Sequence, residues 1–134
     1  MMKLLSFLLL LLITACSPFE NEQFVPVDYT GEWHWVSSTG GIMGEVIQSD
    51  SVNYTQSLGI NQSNEARWFR DGELVQKFKI SKLSSDEDGE LLLKPDTNED
   101  ENSSPIDKVI LGYQDGYLTV YDRCYDCYNH RFTR

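Results

Sequence analysis

Cys124 and Cys127, with His130 close behind, are the residues whose types and spacing most readily suggest chemistry. A Cys-x-x-Cys pair admits a disulfide across a tight turn, a thiol–disulfide redox couple, or half of a zinc site. Redox chemistry needs the first cysteine at a helix N-terminus, where its thiolate is stabilised, and no helical pattern follows Cys124. A zinc site needs four ligands; His130 could supply a third and the sequence offers no fourth. The spacing favours a disulfide flanking the last turn of the chain, with a free dithiol as the next alternative and metal or redox chemistry after it. So short a loop contributes about 2 kcal/mol through the unfolded state. His34 alternates with tryptophans and is expected to face outward. His130 shares a face with Tyr128 and Phe132 and is expected to be structural rather than a base.

Carboxylates are abundant, 21 acidic residues against 11 basic, for a formal net charge of −10. They concentrate in residues 84–89 and 96–104, where no apolar surroundings would raise a pKa into the working range of a general acid. Asp86, Asp88 and Glu90, and again Asp96, Asn98 and Asp100, alternate as calcium ligands do, but neither run matches the calcium loop with its central glycine and terminal acid. Gly-x-Ser-x-Gly elbows, phosphate loops and metalloprotease motifs are all missing. The expectation is a protein that is not an enzyme, with no catalytic residue, no metal and no cofactor. A surface this acidic disfavours nucleic acid and anionic lipid and favours a cationic partner, although solubility alone also accounts for it. Asp50-Ser51-Val52 matches a short bacterial O-glycosylation motif, a match that three residues make easily by chance.

The chain opens with a leader. Met1-Met2-Lys3 precedes an apolar run over residues 4–13, too short to span a bilayer and suited to a secretory signal. Ile13-Thr14-Ala15-Cys16 resembles the lipobox of bacterial lipoproteins. That resemblance implies cleavage before Cys16, acylation of its sulfur and its new amino group, and a stable membrane anchor. Ser17 in place of aspartate favours the outer membrane, on either face. The chain then divides into a signal peptide (residues 1–15), a lipidated tether with two prolines (residues 16–28) and one domain (residues 29–134).

No window of the domain keeps helical spacing, whereas alternating runs recur between turn signals. Residues 32–38, 53–60, 66–70, 73–81, 90–94, 107–113, 117–123 and 127–133 read as eight strands. Asp71-Gly72 and Gln114-Asp115-Gly116 mark hairpins. On the first strand Trp33 and Trp35 share a face opposite Glu32 and His34; later, Leu74, Phe78 and Ile80 alternate with charges. The expectation is all-β: a single antiparallel up-and-down eight-stranded β-barrel, with a two-sheet sandwich of the same strands as the alternative.

Gly31-Glu32-Trp33 on the first strand, eight short strands and an arginine on the last are similar to the lipocalin and wider calycin pattern. The run Trp33-x-Trp35-x-Ser37 leading to Gly40-Gly41-Ile42-x-Gly44, with the C-terminal aromatic, histidine and arginine run, resembles small lipocalin-like lipoproteins of Gram-negative bacteria. The chain is shorter than true lipocalins and lacks the helix they carry before the last strand. The resemblance implies that Trp33 plugs one barrel end under an arginine, either Arg131 or Arg134, which alternation places on opposite faces.

Trp33, Trp35, Trp68, Phe78, Tyr54 and Tyr117 are together bulky enough to fill so small a barrel. If a ligand site exists, its expected residues are Trp35, Trp68, Phe78 and Tyr54, with the glycine-rich turn at residues 39–44 as its mouth. Two functions fit: a lipid-anchored envelope barrel binding a small apolar ligand or a partner protein, or a periplasmic inhibitor of a cationic enzyme such as lysozyme, steered by its negative charge.

Overall fold

The structure, a computed structural model, describes residues 25–83, 89–96 and 106–134. The leader, Cys16, the tether as far as residue 24 and nearly all of both acidic linkers lie outside the described residues. Nine strands follow one another: β1 (Gly31–Gly40), β2 (Glu45–Gln48), β3 (Gln56–Ile60), β4 (Glu65–Arg70), β5 (Glu73–Lys82), β6 (Leu91–Pro95), β7 (Lys108–Gln114), β8 (Tyr117–Asp122) and β9 (Tyr128–Thr133). All pairings are antiparallel, β3 to β9 pair in chain order, and β9 returns to β1. The eight strands β1 and β3–β9 thus close an up-and-down barrel, as the alternation predicts, in place of the sandwich. The architecture is consistent with a lipocalin-like, calycin-type barrel. Among the described residues no helix is long and apolar enough to cross a membrane.

The ninth strand is unexpected. Residues 39–44 do not form one turn: Thr39 and Gly40 extend β1, and the chain then folds back as β2. The lower half of β1, Gly31 to His34, pairs with β3, while its upper half, Ser37 to Gly40, pairs with β2. A flap therefore stands above the barrel wall at one end. The Asp71-Gly72 and Asp115-Gly116 hairpins behave as read, with positive φ at both residues of each pair.

The inward faces form one core, with Trp33, Leu58, Leu93, Ile110, Leu118, Val120 and Phe132 at 0% exposure. Burying side chains of this size stabilises the fold by about 1.5–3 kcal/mol each. Three register shifts interrupt the alternation, after Trp35 in β1, opposite Trp68 and Phe69 in β5, and after Ile110 in β7. Each inserts an extra residue that bends its strand and reverses the facing of the residues beyond it. The β5 bulge at Val75 turns Leu74 out to solvent, away from the face of Phe78 and Ile80 on which strict alternation had placed it.

One end is plugged. Trp33 donates its indole N–H to the Tyr29 carbonyl oxygen at 2.9 Å, and the edge of the Tyr113 ring meets it with centroids 5.4 Å apart. Arg134 supplies the cover, its guanidinium 4.5 Å from the Trp33 ring and donating to the carbonyls of Asp28 and Thr30. Arg131 does not share this role. It faces the outer wall and lies 4.0 Å above the Tyr117 ring, which leaves Tyr117 outside the core cluster. A short 3-10 turn, Val27–Tyr29, crosses this end, so the chain enters the barrel from the plugged side.

Candidate functional site at the rim end

Functional groups gather at the opposite end. The bulge at Val36 turns Ser38 inward beside Trp35. The Ser38 hydroxyl accepts the Trp35 indole N–H at 2.9 Å and lies 2.7 Å from Nδ1 of His130. The other ring nitrogen of His130, Nε2, is 3.1 Å from Oδ1 of Asp122, which also takes a bond from the Lys108 ammonium. Lys108 and Asp122 are cross-strand partners on β7 and β8, and His130 is opposite Val120 on β9. With the ring proton on Nε2, the position a carboxylate acceptor favours, donation runs one way from Trp35 through Ser38 and His130 to Asp122. Burial works to raise the Asp122 pKa, but the hydrogen bonds from His130 and Lys108 and their electrostatic attraction outweigh it and hold the carboxyl below its usual range.

Serine, histidine and aspartate in this order form the relay of a hydrolytic triad. A triad serine must be approached by a substrate carbonyl, with donors aimed at the developing oxyanion. Ser38 is 4% exposed, and its oxygen already receives the Trp35 proton. What the arrangement does supply is a satisfied polar network tying β1, β7, β8 and β9 in one register.

Aromatic side chains enclose it. Trp35 stacks on Tyr54 with centroids 5.8 Å apart, and the Arg70 guanidinium lies 3.9 Å above the far ring. Trp68 meets His130 and Phe132 edge-on at 5.1 and 5.2 Å, donates to Gln56 at 2.9 Å, and carries Lys108 over its ring. The structure therefore brings Trp35, Trp68 and Tyr54 together around the network, with Phe78 in the core beneath. Their surfaces are spent on one another: Trp35, Trp68 and Phe78 retain 5%, 6% and 2% exposure. These three rings and the fully buried core below leave little accessible surface on the inward face, while Tyr54 is only partly buried at the rim.

Apolar surface is instead displayed on the rim. Ile42, Met43 and Tyr125 are 85%, 84% and 95% exposed, and Val46 of β2 is exposed as well. Cys124 and Cys127 sit within bonding distance as a disulfide pair, Cα atoms 5.5 Å apart, closing the β8–β9 turn that carries Tyr125. The flap packs against this turn. Gly41 donates to the Cys127 carbonyl oxygen at 3.4 Å, and Tyr128 donates to Glu45 at 3.3 Å, whose negative charge holds the phenol above its usual pKa range. Gly40 permits the approach, because a Cβ there would collide with the Cys127 carbonyl and lie 2.8 Å from the Tyr128 Cα.

Elsewhere, a shallow cleft of about 390 Å³ runs along the outer wall over the small residues Ser57 and Gly59, between Glu32 and Phe69. His34 is exposed, and among the described residues no group of three or more His, Cys, Asp or Glu side chains is placed to hold a metal ion. Sequence reasoning missed Ser38, Asp122 and Lys108. Alternation carried past Trp35 places Ser38 outside, and nothing local to the sequence marks the bulge that reverses it. Comparison with known proteins returned no match from family models, curated proteins or solved structures.

Proposed function

We propose that the protein is a lipid-anchored barrel of the cell envelope, not an enzyme, that binds a partner protein at its rim end. The packed interior carries this reading: among the described residues the inward-facing core side chains are almost fully buried, while the three most exposed apolar side chains, Ile42, Met43 and Tyr125, lie on the flap tip and the disulfide-closed turn. The anchor gives the direction. Val25 and the turn after it sit at the plugged end, and the stretch from Cys16 to Val25 extends at most about 30 Å. A lipid on Cys16 holds the plugged end toward the membrane, the outer membrane on the Ser17 signal, and turns the rim toward partners. The narrower reading, inhibition of a cationic enzyme such as lysozyme, draws on the net charge of −10.

Titration of the purified domain with a fluorescent fatty acid, and with lysozyme at low and high salt, tests both readings. We expect no saturable quenching of tryptophan by the fatty acid; stoichiometric quenching would show an open lumen and overturn the rim reading. Lysozyme binding that weakens steeply with salt supports the inhibitor reading, and no binding at low salt removes it.

A further inference from the structure

β2 lies outside the closed barrel and pairs only with β1, so among the described residues its other edge meets no strand. Ser51 takes the Gln48 N–H on its hydroxyl at 3.3 Å and donates that hydroxyl to the Gln48 carbonyl at 2.8 Å. Gln48 therefore points both backbone groups away from β1. In an antiparallel strand the direction alternates by residue, so Ile47 points to β1 and Val46 points its N–H and C=O outward, as Gln48 does. The Ile47 side chain packs against the core, while Val46 is exposed. The outward edge at Val46 thus follows the apolar tip Ile42-Met43 in the chain, with β1 between it and the turn that carries Tyr125.

We propose that this edge takes up an extended segment of a partner protein by strand addition, the Val46 backbone making the ladder bonds and the rim side chains gripping alternate residues. The segment is basic. Glu45 on β2 and Asp50 just after it are exposed in a chain of net charge −10. That charge opposes a second copy of this chain as occupant, because two such bodies repel, and it attracts lysine or arginine alternating with apolar residues. The inference rests on the rim-binding reading and specifies its mode.

The probe is a blocked six-residue peptide alternating lysine and valine, with one alternating glutamate and valine as control, read by titration and by amide exchange at Val46. The expected result is binding of the basic peptide only, weakening as salt is raised, with at least ten-fold slower exchange at the Val46 amide. Val46→Pro removes the outward N–H without removing a bond to β1 and should weaken binding at least ten-fold, while Val46→Thr should stay within about three-fold. If Val46→Pro fails to fold, the exchange measurement on the unaltered protein decides. Equal binding of the acidic peptide, no binding at millimolar peptide, or self-association in place of capture overturns the proposal. Binding that survives Val46→Pro but is lost in Ile42→Ser also overturns strand addition, while leaving the rim as the binding surface.

Discussion

Asp122 holds the rim-end network together, accepting from both His130 and Lys108 with little solvent to share the load. Its folded pKa lies below the ordinary value of 3.8, so the pairing stabilises the protein above about pH 4 and is lost as pH falls through the folded value. Asp122→Asn should cost about 1–3 kcal/mol at pH 7. In denaturant melts the gap to the parent protein should narrow below pH 4; a gap independent of pH would assign the loss to packing instead. The plug offers a second contrast. Arg134→Ala should destabilise by about 1 kcal/mol, whereas Arg131→Ala, on the outer wall, should change stability by less than about 0.5 kcal/mol in the same melts. The inward facing of Trp33 and His130 was legible because type and alternation agreed on them. The choice between the two arginines was not, because it depends on where a terminal side chain folds back in space.

The eight barrel strands were readable at the level of elements because each alternates between turn signals, and Asp71-Gly72 fixes its hairpin by conformation alone. β2 escaped notice because Glu45, Val46, Ile47 and Gln48 make too short a run to show a period, and the glycines before it read as a single turn. The bulges at Val36 and Val75 were hidden for a different reason. A register shift belongs to the pair of strands, and neither sequence announces it alone. The glycines of the flap are constrained by contact as well as by conformation. Gly40→Ala should push β1 from the disulfide-closed turn and destabilise by about 1–3 kcal/mol as an overpacked site. Amide exchange should then rise at residues 41–48 and 125–128 ahead of the core strands; exchange rising uniformly would show that the flap does not move separately.

The molecule as a whole separates its two ends. The plugged end receives the chain through the Val27–Tyr29 turn and seals itself with Trp33 and Arg134, while the rim end carries a satisfied polar network below and apolar side chains above. Its charge is readable from composition, and so is its barrel closure once strands are counted. The filling of the interior is not, since it depends on how aromatic rings nest against one another. Closure also sets the order in which the chain can be completed. The seam joins β1 to β9, and its polar lock, Ser38 to His130, links residues 92 apart in sequence. Until the last strand arrives, β1 has no partner along that edge, and no local contact substitutes for it. Folding of this barrel is therefore expected to be governed by a single late, long-range event and to fall among the slower two-state domains. The interval before that event, with two unpaired strand edges exposed, is when the chain is most open to aggregation.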